Sequence, residues 1–206
     1  RRPVQNNILR IGCAAGFSGD RTDAAGPVVE ALLAAGGPAF LIFETLAERT
    51  LALAQLARRT NPDAGYEPLL DDMLRPVLAR CLQGGIRIVS NFGAAHPEAA
   101  ARRIHALAAA LGLLAPRIAV VQGDDLSAPH QRPLLEQALG SALQGLDVVS
   151  AHAYLGAEAI AHALRAGAAI VVCGRVAYPS LAVGAALALS LIHIRRCRRY
   201  AVCTSR

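Results

Sequence analysis

The sequence predicts an α/β domain with an open, mainly parallel sheet of about six strands and helices on both faces. Short β-branched runs alternate with longer runs rich in Ala and Leu that have a helical period. Several of the short runs, among them IAVVQ and AIVVC, are almost entirely apolar, which is typical of strands covered on both faces. Hydrophobic residues make up 54% of the chain and charged residues only 17%, a composition that suits elements buried on two sides.

The predicted strands and helices alternate along the chain. The strands are predicted at residues 8–14, 39–43, 86–90, 117–121, 147–151 and 169–173. The helices are predicted at residues 27–35, 47–59, 67–83, 97–111, 133–143, 157–166 and 179–189. Alternation of this kind implies right-handed crossovers and a parallel sheet, but it leaves the order of the strands open.

Proline and glycine mark the ends of the predicted helices. Pro27, Pro97 and Pro179 stand where the first residue of a helix would lie, a position at which the missing N–H of proline is tolerated. Glycines stand where helix C-caps are expected, at positions 36–37, 84–85, 112 and 167. Pro76 falls inside the third predicted helix, so a kink or a break is expected there.

The positive charge of the chain is concentrated at one end. The whole chain has 21 basic residues, all of them Arg, against 15 acidic ones, a formal charge of +6. Residues 190–206 hold five of these arginines and no acid, which leaves 16 arginines against 15 acids, or +1, in residues 1–189. Residues 1–189 therefore offer no basic patch for a nucleic acid. They also lack the about 20 consecutive apolar residues that a membrane-spanning helix needs, so no membrane partner is expected.

Residues 190–206, SLIHIRRCRRYAVCTSR, differ in composition from everything before them. Ala and Gly nearly disappear, and Arg and Cys cluster without periodicity. We interpret this segment either as a disordered basic tail or, as we favour, as out-of-frame sequence joined to a truncated gene. The predicted α/β domain therefore comprises residues 1–189, and residues 190–206 are set apart as a non-native or disordered tail.

The cysteines of the predicted domain, Cys13, Cys81 and Cys173, are isolated from one another in the sequence. Neither a CxxC motif nor a Cys/His ligand spacing occurs, so no metal site is expected. We interpret these cysteines as reduced, small and apolar residues, which suits a cytoplasmic compartment. The chain also opens without the pattern of a signal peptide.

Polar residues and glycines gather where the predicted strands end. Ligands of open α/β sheets bind beyond the carboxyl ends of the strands, so this pattern favours a ligand site there, although loops are polar in any protein. The candidate site residues at these ends are Gly16, Ser18, Gly19, Asp20, Arg21, Glu44, Asn91, Gly93, Asp124 and Arg175.

The loop after the first predicted strand, AAGFSGDRTDA, is rich in glycine and precedes a helix. Its backbone N–H groups could hold a phosphate or a carboxylate. It contains neither G-x-G-x-x-G nor G-K-[ST], so a dinucleotide or P-loop nucleotide site is not expected. Asp20 and Asp23 would repel an anion unless Arg21 turned inward. The alternative is a tight connection in which glycine supplies a positive φ.

Three further side chains suggest chemistry. Asp124 and Asp125 are adjacent, so in an extended segment they point in opposite directions and at most one faces a pocket. A desolvated Asp there could act as a general base; a turn that uses Asp is the alternative. Arg175 could pair with a carboxylate or phosphate, or it could bond strand-end carbonyls instead. Among the histidines, His152 is the best placed for acid–base chemistry.

Five segments together carry a family resemblance: ILRIGCAAGFSGDRTDAA, IRIVSNFGAAHPEAAARRI, IAVVQGDDL, VVSAHAYLGAEAI and IVVCGRVAYPSLAVGAAL. As a set, over roughly residues 8–189, they resemble the N-terminal domain of the acyclic terpene utilisation family (AtuA type). The resemblance implies a bacterial, cytoplasmic protein of the catabolism of acyclic terpenes such as citronellol and geraniol, a pathway that runs through CoA thioesters. It implies a pathway and leaves the reaction and any cofactor open.

Three residues depart from the pattern that the resemblance implies. His96 and His152 stand where Asn is expected, and Tyr178 stands where Asp is expected. Each change is possible by a single base substitution. Because these positions depart from the pattern, we assign no catalytic role to His152 or Tyr178.

Two function hypotheses follow. The first is an enzyme, or an enzyme subunit, that acts on a terpenoid acyl-CoA or a related acid. Asn91 would hold a carbonyl oxygen, Asp124 would move a proton, and the loop at residues 16–19 or Arg175 would take an anionic group. The second is a non-catalytic binding or assembly module for other enzymes of the pathway. The expected partners are a small-molecule substrate and, beyond it, a second copy of the chain or pathway enzymes.

Overall fold

Five strands form one sheet in which all neighbours are parallel. The structure, a computed structural model, describes residues 8–189. The strands are β1 (Arg10–Ala15), β2 (Ala39–Phe43), β3 (Arg87–Ser90), β4 (Ile118–Val121) and β5 (Ile170–Cys173). They lie in the order β1-β2-β3-β5-β4. The predicted open parallel α/β fold is confirmed, with five strands instead of about six. The predicted tail, residues 190–206, lies outside the described residues.

One predicted strand, at residues 147–151, is wrong, since this segment has no strand structure. Its backbone groups bond to side chains and to a loop instead of to the sheet. Arg59 donates to the Val148 carbonyl (2.8 Å), and the Ala151 N–H donates to Ser127 Oγ (2.9 Å). An apolar run predicts burial, but it does not tell whether a strand position in the sheet is open to receive it. Here β5 fills the position beside β4.

Eight α-helices occur within residues 8–189. They are α1 (Ala25–Ala35), α2 (Glu48–Thr60), α3 (Leu70–Leu74), α4 (Leu78–Gln83), α5 (Pro97–Ala110), α6 (Arg132–Leu139), α7 (Glu158–Arg165) and α8 (Ser180–Leu189). The break expected at Pro76 is confirmed, because it separates α3 from α4. None of the helices in this part of the chain is long and apolar enough to cross a membrane.

The strands alternate their side chains between two hydrophobic cores. In β2, Leu41 and Phe43 join the core beneath α1, α3, α4 and α5. Phe40 and Ile42 join the core beneath α7 and α8 on the other side. Each fully buried side chain of this size stabilises the fold by roughly 1.5–3 kcal/mol. Helices therefore cover both faces of the sheet, as the apolar strands predicted.

Helix α2 lies over the carboxyl ends of the strands and not on a face of the sheet. Its Leu51 is buried in a small separate cluster with Leu46, Ala94 and Ala95. Leu46 comes shortly after β2, and the two alanines come shortly after β3. α2 therefore covers the ends of β2 and β3, where the candidate site residues are found.

The neighbouring strands β3 and β5 lead to opposite faces of the sheet. β3 leads to α5, which packs in the first core, and β5 leads to α8, which packs in the second. A reversal of this kind opens a crevice at the carboxyl ends of the two strands. The carboxyl ends of β3 and β5 meet there, where the Gly93 N–H donates to the Cys173 carbonyl (3.0 Å). The ends of β3 and β5 are thus in direct contact beside the buried Asn91 and Arg175.

Candidate functional site

Four of the predicted site residues form one connected polar cluster at the carboxyl edge of the sheet. Glu44 follows β2, Asn91 follows β3, Asp124 follows β4 and Arg175 follows β5. Parallel strands all end at the same edge, so residues far apart in sequence meet there. Asn91, Asp124 and Arg175 are almost entirely buried, and Glu44 is partly buried.

Asn91 fixes the position of the Glu44 carboxyl group. Its Oδ1 accepts hydrogen bonds from the Thr45 N–H (2.7 Å) and from the Thr45 hydroxyl (3.3 Å). Its Nδ2 donates to Glu44 Oε1 (2.7 Å). Both ends of the amide are therefore engaged, and the orientation of Asn91 is determined by Thr45.

The Glu44 carboxyl group is held on one side only. Oε1 accepts hydrogen bonds from Asn91 and from the Leu46 N–H (3.0 Å). Oε2 is buried and has no hydrogen-bond partner within residues 8–189. Burial raises the pKa of Glu44 above its ordinary value, against the opposing effects of Asn91, the Leu46 N–H and the charge of Arg175. Glu44 is thus a carboxyl with one free oxygen and an increased affinity for a proton.

Asp124 organises the other half of the cluster. Its Oδ2 accepts a hydrogen bond from the Arg175 N–H (2.7 Å) and lies 3.1 Å from Nδ1 of His152. Gln55 Nε2, which can only donate, lies 3.1 Å from His152 Nε2. A neutral His152 that accepts this hydrogen bond at Nε2 donates from Nδ1 to Asp124. The carboxylate of Asp124 is thereby directed at protein groups and not at an open cavity.

Asp124 and Asp125 contact His152 from different sides of its ring. Asp124 lies 3.1 Å from Nδ1, and Asp125 lies 4.0 Å from Nε2. Asp124 is buried, whereas Asp125 is partly exposed and also forms an isolated antiparallel bridge with His152.

Arg175 is the largest buried polar side chain of the cluster, with only 1% of its surface exposed. One terminal nitrogen donates to the Leu46 carbonyl, and the other donates to the Tyr154 hydroxyl (3.3 Å). The guanidinium lies over two aromatic rings, 4.9 Å from the centroid of Tyr154 and 5.2 Å from that of Tyr178. Arg175 therefore joins the ends of β2 and β5 to the segment that contains Tyr154.

Glu48 is a site residue that the sequence did not single out. It is the first residue of α2, and its Oε1 accepts hydrogen bonds from the hydroxyls of Tyr154 and Tyr178. Arg175 lies 3.8 Å from the same oxygen. These contacts lower the pKa of Glu48 to about 2, with the Tyr154 hydroxyl as the largest cause. The only local signal was an acidic residue in the first turn of a helix, which is common for other reasons.

We expect a carboxyl ¹³C titration to find the pKa of Glu48 near 2 in the folded protein. Tyr154→Phe should move that pKa upward toward the ordinary value of 4.5, because it removes the largest stabilising donor. The folded pKa is depressed, so the stabilising contribution of Glu48 is present above pH 4.5 and is lost as the pH falls from 4.5 toward 2. An unchanged Glu48 titration in Tyr154→Phe would contradict this assignment.

Two pockets flank α2 on opposite sides. The first, which we call the apolar pocket, has a volume of about 530 Å³. Its lining is mainly apolar and includes several polar residues; among the lining residues are Leu46, Leu53, Ala54, Ala57, Ala64, Ala94, Ser18, Thr45 and Glu67. The second, which we call the tyrosine pocket, has a volume of about 240 Å³ and is lined by Glu48, Leu51, Ala52, Ser150, His152, Tyr154 and Arg175.

The loop at residues 16–21 is largely exposed and bonds mostly within itself. Asp20 accepts hydrogen bonds from the N–H groups of Gly16 (2.9 Å) and Arg21 (2.7 Å), and these lower its pKa. Arg21 pairs with Asp23 (2.6 Å). Gly19 has φ of 83°, a conformation that favours glycine. The Gly16 amide thus holds the loop's own carboxylate, and the loop borders the apolar pocket through Ser18.

Two of the three described cysteines are buried. Cys81 and Cys173 are buried, and burial raises the pKa of the Cys81 thiol to about 12 and also raises that of Cys173. Cys13 is exposed, and all three cysteines are free thiols, without a disulfide. No three His, Cys, Asp or Glu side chains of residues 8–189 come together as metal ligands.

Comparisons with known proteins give one family. Neither a curated protein nor a solved structure matches the chain at a significant level. A family model described as "Acyclic terpene utilisation family protein AtuA" matches residues 9–189, which includes every element of the sheet and both pockets.

Proposed function

The chain belongs to the acyclic terpene utilisation family AtuA, and from that premise we propose that it is an enzyme, or an enzyme subunit, that acts on a terpenoid acyl-CoA or a related acid. The proposed pathway is the catabolism of acyclic terpenes such as citronellol and geraniol. The observation that carries the proposal is the buried, unpartnered Oε2 of Glu44, whose chain neighbours Thr45 and Leu46 line the apolar pocket. We propose that Glu44 moves a proton to or from the bound substrate.

The chemical case for Glu44 depends on its surroundings. A general acid or base works best when its pKa lies near the pH of operation, and burial moves Glu44 in that direction. Asn91 and the Leu46 N–H hold Oε1, so the carboxyl group has one orientation while Oε2 keeps an unused lone pair. A proton transferred to Oε2 also removes the cost of burying a charge.

Thr45 connects the polar cluster to the apolar pocket. Its N–H and hydroxyl bond to Asn91, and the residue also lines the pocket. Pockets of roughly 300–1,000 Å³ with aliphatic walls and few polar groups are typical of small-molecule sites. A branched, unsaturated hydrocarbon chain has the shape and polarity that such a lining accepts. We propose that this pocket holds the terpenoid chain.

The remaining site residues support these two parts. Asn91 and Asp124 bond to other side chains on their active atoms, so we propose that they position Glu44 and Arg175 respectively. Arg175 lines the tyrosine pocket and is proposed to take an anionic group there. The loop at residues 16–21 borders the apolar pocket through Ser18 and is proposed to contact the polar end of the thioester. Gly93 is proposed to let the ends of β3 and β5, which carry the site residues, approach each other closely.

The proposal is tested by incubating the full chain with the CoA thioesters of citronellic and geranic acids in D₂O. Mass spectrometry then follows both product formation and deuterium uptake into the recovered acyl group. A change in acyl mass that depends on the protein supports an enzyme. Thermal stabilisation by the thioesters without a change in acyl mass would indicate a binding function. Capture of pathway enzymes, with neither thermal stabilisation nor a change in acyl mass, would favour an assembly module.

Filling the apolar pocket should weaken substrate binding selectively. We expect Ala57→Phe to raise the Kd for the terpenoid thioester at least about tenfold, which corresponds to about 1.4 kcal/mol. Ala57 lines the pocket, and the added ring would occupy the space of the chain. Leu56→Phe is the matched control, since Leu56 is exposed on a different side of α2. Equal Kd values for the two variants, measured by calorimetry, would rule out this pocket.

A further inference from the structure

An exposed carboxylate at the tyrosine pocket is surrounded by donors from distant parts of the chain. The side chain of Glu48 is 70% exposed, yet its Oε1 receives the hydroxyls of Tyr154 and Tyr178 and lies 3.8 Å from Arg175. The two hydrogen bonds link residues 106 and 130 positions apart. Exposed acids are ordinarily satisfied by water, so an exposed oxygen that receives two hydroxyl donors beside a guanidinium indicates an anion-binding arrangement.

Arg175 supplies an independent observation. It lines the tyrosine pocket, its side chain is almost fully buried, and its Nε has no hydrogen-bond partner in the described part of the chain. A buried unsatisfied donor is costly, and more so on a charged group. At 3.8 Å the contact with Glu48 is longer than a charge-assisted hydrogen bond. Glu48 therefore leaves part of the hydrogen-bonding capacity of the Arg175 guanidinium unsatisfied.

We propose that Arg175, Tyr154 and Tyr178 form a receptor for the carboxylate of a small aliphatic acid, and that Glu48 occupies this receptor as an internal substitute which the acid displaces. The proposal deepens the proposed function, on which it rests for the class of acid. It assigns the small acid to the tyrosine pocket, where the acid binds separately from the chain held in the apolar pocket on the opposite side of α2. Glu48 then sets how readily the site accepts an acid.

The size and lining of the tyrosine pocket fit a small acid. Its volume of about 240 Å³ lies below the usual range for drug-sized ligands, so it accepts a head group with a short chain. Leu51 and Ala52 give it one aliphatic wall. A planar carboxylate can accept two parallel hydrogen bonds from a guanidinium, a geometry that suits Arg175. Carboxylate is therefore favoured over a tetrahedral phosphate.

Displacement of Glu48 requires only a local movement. Glu48 is the first residue of α2, and its exposed side chain can turn into solvent without disturbing the helix. The departing carboxylate regains hydration while the incoming one takes over the same donors. One carboxylate replaces another, so the net charge at the donors does not change. Glu48 therefore competes with the acid: the wild-type chain binds the acid weakly, and a chain without Glu48 binds it tightly.

The test is calorimetric titration of 3-methylbutanoate, and separately of inorganic phosphate, into the full chain. We expect Glu48→Ala and Glu48→Gln to bind 3-methylbutanoate at least tenfold more tightly than the wild type. Adding Tyr154→Phe to Glu48→Ala should reverse most of that gain. Glu98→Ala is the matched control, because Glu98 is an exposed acid in the first turn of α5 and should leave the affinity unchanged.

Three outcomes would overturn the receptor: equal affinity in the wild type and both Glu48 variants, no binding to any of them, or tighter binding of phosphate than of carboxylate. Binding is measured without turnover, so the result is separable from the proposed function. Tighter acid binding in Glu48→Ala, together with unchanged acyl mass in the thioester experiment, would leave the receptor standing and remove the enzyme. Turnover of the thioester, together with an acid affinity that does not depend on Glu48, would support the enzyme and remove the receptor.

Discussion

Glu44→Gln is expected to reduce turnover of the terpenoid thioester at least about 100-fold, the lower range of general acid–base contributions. Gln has nearly the same shape, and its carbonyl oxygen can accept the same hydrogen bonds from Asn91 and the Leu46 N–H. It cannot bind or release a proton at Oε2. The loss should therefore fall on kcat, while the Kd of the substrate stays within a few-fold of the wild-type value.

The pH dependence of stability supplies a second measurement on the same carboxyl group. Burial raises the folded pKa of Glu44 above its ordinary value of 4.5, so the folded chain holds this proton more tightly than the unfolded chain does. The associated stability is fully present below pH 4.5 and is lost as the pH rises through the folded pKa. Chemical unfolding across this window should show a slope in the wild type that Glu44→Gln lacks.

Asn91→Ala serves as the companion variant, because it removes the donor that lowers the pKa of Glu44. The acid limb of the kcat profile should then move to higher pH, which a merely structural role would not produce. Full turnover in Glu44→Gln, at a thermal unfolding midpoint equal to that of the wild type, would exclude Glu44 as the proton-moving group.

Gly93→Ala is expected to lower the free energy of unfolding by about 3 kcal/mol, the upper part of the usual range for overpacked sites. A Cβ at this position would lie 2.5 Å from the Cys173 carbonyl oxygen and 2.6 Å from the Cα of Pro97. Both neighbours are backbone atoms, so neither can turn away as a flexible side chain could. Relief requires β3 and β5 to separate at the crevice, which would weaken the Gly93–Cys173 hydrogen bond.

Urea unfolding of Gly93→Ala and Gly26→Ala side by side measures this effect. Gly26 is the second residue of α1, and a Cβ there would meet no atom within 4 Å apart from its chain neighbours. Gly26→Ala should therefore change the free energy of unfolding by less than about 1 kcal/mol, because the helix propensity of Ala is opposed by the crowding of a Cβ that precedes Pro27. A Gly93→Ala variant as stable as the wild type would mean that the two strand ends approach each other less closely than described.

Much of the site was predictable because parallel strands end at one edge. Glu44, Asn91, Asp124 and Arg175 follow four different strands, and reading the polar residue after each apolar run is enough to find all four. What the pattern could not supply was their chemistry. Asp124 was assigned the proton transfer because it follows a strand, but its carboxylate faces Arg175 and His152, and the free oxygen belongs to Glu44.

By itself the sequence determined the α/β class, the strand and helix positions with one error, the break at Pro76 and the membership of one polar cluster. Only the tertiary structure decided the strand order, the irregular conformation of residues 147–151, and the contacts of Glu48 with Tyr154 and Tyr178. The physical reason is the distance along the sequence over which each interaction acts. Periodicity and end signals act within a few residues, whereas strand order and side-chain pairing depend on which distant surfaces can be buried together.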